Sequence, residues 1–325
     1  MSKKKMTTAI AEKSEINIDP RFEERYREIV GDAYQEFIGC SLTPLRKAIR
    51  VNTLKTSVEH FKKDLKGWKL TQVPWCKEGF WIEHKTEERF DIGNIFEHAL
   101  GYFYVQDPAS MIPPVVLDPK PGDQVLDMTA APGSKSTQIA QYMQNEGTLV
   151  LNDNSYDRLK ALEINVRRMG IMNAVITGIQ ANHLSKLGKN NISFDKILLD
   201  APCSGSGTIR KSYKTILQYS TNFVKTMSKA QKQLITTAFD LLRKGGTLVY
   251  STCTLEPEED EEIISFLLDA YPEASIEKID LPLKRSQPIL EWNGKTYRKE
   301  VKDVLRIYPQ DNDTEGFFVA KIRKS

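Results

Sequence analysis

Two cysteines carry the most reactive chemistry in the sequence: Cys203 in Asp200-Ala201-Pro202-Cys203-Ser204-Gly205-Ser206-Gly207, and Cys253 in Ser251-Thr252-Cys253-Thr254. Each follows an apolar run that reads as a strand, Lys196–Asp200 and Thr247–Ser251. A lone cysteine is most often a small buried hydrophobe. Two thiols at two strand tips, one inside a loop of proline, glycine and serine, suit covalent catalysis, in which a thiolate adds to an electrophilic carbon. A free thiol titrates near about 8.5, so the attacking one needs a cation or a helix N-terminus beside it. Lys135 and Asp200 are the charged groups placed to share that cleft. The residues alone do not say which thiol attacks.

A second loop has the composition of a ligand cradle. A strand ending at Asp127 runs into Thr129-Ala130-Ala131-Pro132-Gly133-Ser134-Lys135 before the next helix. Small residues let backbone approach a ligand, Gly133 can adopt conformations closed to other residues, and Lys135 at the helix start offers a cation. The spacing matches neither a phosphate-binding P-loop nor a G-x-G-x-x-G dinucleotide turn. A further acid, Asp153, follows the second strand. An acid there can accept hydrogen bonds from ribose hydroxyls; it can equally cap the following helix.

These loops need a frame that brings them together. From about Gly93 onward, strands at Gln124–Met128, Thr148–Asn152, Ala174–Thr177, Lys196–Asp200 and Thr247–Ser251 alternate with helices at Ser136–Gln144, Tyr156–Met169, Ser228–Leu242 and Glu258–Ala270, and strands Ser275–Ile279 and Phe317–Ile322 close the series. That alternation predicts an α/β fold, a doubly wound, mainly parallel sheet. Ligands of such sheets bind beyond the carboxyl ends of the strands, where the strand order reverses. Gly245-Gly246 is expected to end the helix before the fifth strand. The acids from Glu256 to Glu262 are read as structural, favoured by the positive end of the helix that follows.

Residues 21–92 read as a small α+β module. It has a helix over Arg21–Ile38, a strand over Ile49–Asn52, a helix over Val58–Leu65 and short strands around Leu70 and Phe80. Residues 1–20, with Lys3-Lys4-Lys5 and few large apolar groups, read as a mobile tail. The net charge is only +3, from 46 basic and 43 acidic residues, so bulk charge announces no polyanion partner. Acid-free basic stretches from Ser41 to Lys55 and from Cys203 to Lys232 could still follow a phosphate backbone. Four cysteines without metal-ligand spacing predict free thiols and no metal. No run reaches the roughly 18 apolar residues of a membrane span, and there is no secretory leader, so a soluble cytoplasmic protein is expected.

Taken together, the motifs resemble those of the RsmB/NSUN family of RNA cytosine-C5 methyltransferases. The likeness spans most of the chain and rests on Asp127–Lys135, Asp200–Gly205 and Ser251–Cys253. It is joined by Arg50-Val51-Asn52-Thr53, Gln106-Asp107-Pro108-Ala109-Ser110 and Glu315-Gly316-Phe317-Phe318. It implies a Rossmann-like S-adenosylmethionine-dependent methyltransferase domain over residues 93–325, preceded by an RNA-binding module. It also implies Cys253 as nucleophile and Cys203 as the cysteine of product release, with Asp200 near methyl donor and cytosine. The loop Thr129, Ala130, Ala131, Pro132, Gly133, Ser134 and Lys135 would contact S-adenosyl-L-methionine, and Asp153 its ribose. Two positions depart from the pattern: Thr129 stands where cysteine is frequent, and Gln180 where an aspartate usually faces the adenine amino group.

By the chemistry so implied, a thiolate adds to C6 of cytosine and makes C5 nucleophilic. Asp200 can act at N3, and a base must then take the C5 proton, a step Cys203 is placed to assist. The basic stretch around Arg46–Lys55 could hold phosphates. The aromatics Trp68, Trp75, Phe80 and Trp81 either stack bases or, by the better-weighted reading, form core. The compact form resembles archaeal-type enzymes that modify tRNA, so a tRNA substrate and a monomer without an obligate protein partner are expected. An rRNA enzyme of the same chemistry and a non-catalytic RNA-binding protein on the same fold are the alternatives; retention of both thiols, Asp200 and Lys135 speaks against the second.

Overall fold

The computed structural model describes residues 17–86, 91–180, 183–184 and 192–325. Most of the expected tail, residues 1–16, lies outside that range. Among the described residues, no helix is long and apolar enough to cross a membrane.

The first half is built on a four-stranded antiparallel sheet. Its strands are β1 (Ala48–Val51), β2 (Trp68–Gln72), β3 (Gly79–His84) and β4 (Phe103–Val105), in the order β2-β3-β1-β4. The helix Val58–Asp64 packs Phe61 into a core with Ile49, Val51, Phe80 and Phe103. The sheet therefore takes in a strand beyond the boundary expected after residue 92, because β4 pairs directly with β1. All four aromatics weighed as base-stackers, Trp68, Trp75, Phe80 and Trp81, are buried. They are core.

The helix expected over Arg21–Ile38 is two helices, Pro20–Val30 and Tyr34–Ser41. Asp19 caps the first by accepting the Arg21 amide, and Gly31, at φ +63°, ends it through its amide to the Arg27 carbonyl. Phe22, Tyr26 and Ile29 fall on one face by helical spacing and are buried. They pack against the second half of the chain: Phe22 meets Tyr219 with ring centres 5.6 Å apart, and Phe37 meets Tyr308 at 5.9 Å.

The second half is a larger sheet. β5 (Gln124–Asp127), β6 (Thr148–Asn152), β7 (Ala174–Thr177), β8 (Phe194–Asp200) and β9 (Leu242–Thr252) run parallel to one another. β10 (Ala274–Glu277) follows; β11 (Glu291–Trp292) and β12 (Lys295–Thr296) form a separate hairpin; β13 (Leu305–Ile307) and β14 (Phe317–Lys324) complete the set. The order is β10-β14-β9-β8-β5-β6-β7, with β13 also on β14 and the last strands antiparallel. Apolar strands are buried between helices on both faces, among them Ser134–Tyr142, Tyr156–Met169, Thr221–Leu241 and Glu261–Ala270.

Gly245-Gly246 does not end a helix. The helix stops at Leu241, and the pair lies within β9, where a Cβ on Gly246 would come within 2.9 Å of the Asp195 carbonyl.

Candidate active site

Chain order reverses between β5 and β8, which are hydrogen-bonded neighbours although β6 and β7 intervene in sequence. Their carboxyl ends, with those of β6 and β9, enclose a cavity of about 310 Å³ between Met128, Asp153, Ile179, Asp200, Cys203 and Cys253. Crevices at such reversals are where sheets of this kind bind ligands.

Loop 129–135 forms one side. The Ala131–Pro132 peptide is cis, and Gly133 sits at φ +109°, where a Cβ would meet Leu162 at 3.0 Å, so both space and backbone call for glycine. Ser136 fastens the loop by donating to Asp127 Oδ2 at 2.7 Å. Burial pushes the Asp127 carboxyl up to about 7. Thr129 is the loop residue on the cavity wall; Ala130 and Ala131 are buried behind it.

Asp153 lies on the opposite wall. Its carboxylate accepts the Ser155 amide at 3.0 Å and the Ala131 amide at 3.2 Å, with Arg158 3.3 Å away. The N-cap of the following helix is Ser155, so the capping reading of Asp153 falls.

Gln180 is exposed next to the cavity-lining Ile179. The Asn152 side chain holds both the amide and the carbonyl of Ile179, which places Ile179 on the wall and leaves Gln180 exposed beyond it. Asn152 and Arg158 both line the cavity and were not singled out from the sequence. A polar residue at a strand tip and an arginine one turn into a helix carry no signal of their own.

Lys135 Nζ pairs with Asp200 Oδ2 at 2.7 Å and lies 5.3 Å over the Phe317 ring. Ser251 donates to the other oxygen of Asp200 at 2.7 Å, and Thr129 donates to the Asp200 carbonyl at 2.8 Å. The carboxylate is thus oriented from both sides, and the lysine cation is committed to it.

The two thiols meet, with Cys203 Sγ and Cys253 Sγ 3.4 Å apart. Thr254 Oγ1 lies 2.8 Å from the hydroxyls of both Ser204 and Ser206, and the Gly207 amide donates to the Cys253 carbonyl at 2.9 Å. Gly207 admits no side chain, since a Cβ would stand 2.3 Å from the Gly316 carbonyl oxygen. Cys203 is held well above the usual thiol range, first by its contact with Cys253 and then by burial.

The acids after Cys253 are more than helix-end decoration. Glu256, Glu259, Asp260 and Glu261 are all fully buried, and the helix begins only at Glu261. Arg25 and Tyr26 bind Glu256 at 2.7 and 2.9 Å, and Arg306 binds Glu261 at 2.5 and 2.8 Å. Glu259 reaches the cysteine loop: its Oε2 accepts the Ser204 amide at 3.0 Å and the Gln231 amide group at 2.8 Å. Burial pushes Glu259 up to about 7.

The basic stretches are likewise partly interior. Arg50 is fully buried, donating to Thr137 at 2.8 Å and to the Ser134 carbonyl at 2.7 Å, so β1 is pinned to the helix that follows loop 129–135. Arg210 is buried against Asp313 at 2.8 Å. Neither is a free phosphate contact.

Comparison with known proteins places the chain in a family. The family model described as 16S rRNA methyltransferase RsmB/F matches residues 114–323, and that described as the N-terminal domain of 16S rRNA methyltransferase RsmF matches residues 18–108. The chain is 45% identical over 311 residues to a tRNA (cytosine(49)-C(5))-methyltransferase of Pyrococcus abyssi, covering 94% of this chain and 96% of that one. It is 43% identical to the ribosomal RNA small subunit methyltransferase F of Photobacterium profundum, covering 94% of this chain but only 64% of that enzyme's length. Among solved structures, a methyltransferase homolog protein from Pyrococcus horikoshii superposes with a TM-score of 0.84 at 36% identity over the whole of both chains. NSun6 from the same organism, solved with SFG, gives 0.80 at 26% identity over 94% of this chain and 98% of that one. The chain belongs to the RsmB/F family of methyltransferases.

Proposed function

We propose that this protein methylates C5 of a cytosine in tRNA, with Cys253 as the nucleophile and Cys203 assisting release of the product. Its class is that of an S-adenosylmethionine-dependent RNA cytosine-C5 methyltransferase. The observation that carries the residue assignments is the 3.4 Å approach of the two sulfurs at the mouth of the cavity. The tRNA reading is supported by the near full-length match to the Pyrococcus abyssi enzyme, against partial coverage of the rRNA enzyme.

The cavity fits the cofactor. Asp153 offers a buried carboxylate to ribose hydroxyls, Met128 and Ile179 offer apolar surface to a purine, and the small-residue loop before the helix Ser134–Tyr142 leaves room for the amino-acid end. When bound there, S-adenosylmethionine supplies a methyl group on a positively charged sulfur.

The protein's own residues do the rest. The Cys253 thiolate forms a bond to C6 of the cytosine, breaking the aromatic ring and passing electron density to C5. Asp200, fixed by Lys135 and Ser251, acts at N3 and draws charge away from the ring. After C5 has been methylated, a base takes the C5 proton, the electron pair so freed forms the C5–C6 double bond, and the Cys253 sulfur leaves C6 as a thiolate. Cys203, its sulfur 3.4 Å from that of Cys253, assists this step as the group placed to take the C5 proton.

RNA contact by the first half then falls to exposed residues such as Lys47, Lys62 and Lys63, rather than to Arg50 or the buried tryptophans. We further propose that the protein works as a monomer in the cytoplasm. The test is bisulfite sequencing of separate tRNA and rRNA fractions after incubation with enzyme and cofactor. Protected cytosines in tRNA are expected; protection confined to rRNA would overturn the substrate reading.

A further inference from the structure

A second cavity, of about 400 Å³, opens where the two sheets meet, between Arg46, Lys47, Gln106, Asp107, Arg210 and Lys211. A short path of bonds links it to the nucleophile. The Gly207 amide donates to the Cys253 carbonyl at 2.9 Å, and the Gly316 amide donates to the Gly207 carbonyl at 3.0 Å. Glu315, next to Gly316 in the chain, accepts from Lys211 Nζ at 2.7 Å.

Three of the four cations lining this cavity are already paired. Arg46 is engaged by Glu83 at 3.1 Å, Arg210 by Asp313 at 2.8 Å and Lys211 by Glu315. Two carboxylate oxygens nonetheless lack a donor. Asp107 Oδ1 accepts the Ala109 amide at 2.9 Å, while its Oδ2 is buried without a hydrogen-bond donor. Glu315 is 2% exposed, and its Oε1 is also buried without a donor. Each such acceptor costs about 1–3 kcal/mol, a cost that a ligand bringing donors would remove. Burial pushes Glu315 up to about 7 and Asp107 above the usual carboxylate range. Asp200, by contrast, has both oxygens filled by Lys135 and Ser251.

The reaction itself demands such an acceptor. Thiolate addition to C6 is open to cytosine and uracil alike; at position 4 the first ring presents an amino donor and the second a carbonyl acceptor. We infer that Asp107 and Glu315, on either side of the Lys211 side chain, form the acceptor that reads the exocyclic amino group of the target cytosine. This rests on cytosine being the base attacked by Cys253. Lys211 is the movable member, with half its side chain exposed, and swinging its ammonium off Glu315 frees acceptor positions for the base.

The test compares two RNAs of one sequence, carrying at the target position either cytidine or its 4-deamino analogue, the 2-pyrimidinone riboside. kcat/KM is measured for the unchanged protein, for Asp107→Ala and Glu315→Ala, and for the shape-conserving Asp107→Asn and Glu315→Gln. The unchanged protein should favour cytidine. In the variants that preference should shrink by about ten- to a hundredfold, through loss on cytidine and little on the analogue. Where an alanine variant does not fold, the amide variant carries the comparison. A parallel fall on both RNAs, with the ratio unchanged, overturns the inference. Turnover of the cytidine RNA by the unchanged protein reports separately on the substrate reading.

Discussion

Cys203 and Cys253 hold their sulfurs 3.4 Å apart although 50 positions separate them, and the spacing is a property of the backbone as much as of the thiols. β8 and β9 are paired up to Asp200 and Ser251, so the segments after them leave the sheet side by side. The hydroxyls of Ser204, Ser206 and Thr254 then lace one segment to the other. Two thiols are thereby presented to one cavity.

Replacing the proposed nucleophile should stop chemistry without disturbing binding. Cys253→Ala is expected to lower methyl transfer by about a thousandfold or more, since no other route activates C5. RNA affinity should stay within a few-fold. Incorporation of labelled methyl groups and a filter-binding curve measure the two; an active variant rejects the assignment.

Cys203→Ala should separate bond formation from release. The Cys253 adduct would still form and accept the methyl group, then persist. A protein–RNA band surviving denaturing electrophoresis is expected, and its absence with a methylatable RNA removes the release role.

Arg50→Ala should destabilise the protein by about 3 kcal/mol or more, because the acceptors on Gln106, Ser134 and Thr137 lose their donor in a buried seam. Urea unfolding reads this directly. A loss under 1 kcal/mol (roughly the net worth of one ordinary hydrogen bond) would show that the seam does not depend on the guanidinium.

Glu259 gives a pH dependence with a definite sign. Its carboxyl titrates near 4.5 when unfolded and is pushed up to about 7 by burial in the fold. Between those values the folded state keeps a proton that the unfolded state has released. The contribution of this group to stability is therefore greatest at low pH and falls as pH rises through that window. Glu259→Gln should flatten the corresponding slope of Tm against pH from 5 to 7.5; parallel curves would contradict it.

The strand tips were legible in the sequence because apolar runs ending in Asp127, Asn152, Asp200 and Thr252 repeat one local pattern, and the parallel order follows from the intervening helices. Asp153, Asp200, Lys135 and both cysteines meet around one cleft for that reason. What was hidden depends on contacts far apart in the chain. Arg50 looked like a phosphate contact because nothing near it in sequence reveals Thr137 and Ser134 across the seam. The acids at 256, 259 and 261 read only as helix-start residues because their partners, Arg25, Gln231 and Arg306, come from distant segments.

The pair of helices ahead of β1 gives the molecule a property its two sheets do not suggest. Phe22, Tyr26 and Phe37 complete an interior that belongs to the catalytic sheet, and Arg25 neutralises Glu256 three residues beyond Cys253. Trimming the chain back to β5 would strip a wall from the methylating half and strand a charge inside it. Melting should accordingly be a single cooperative event, with neither half surviving the other.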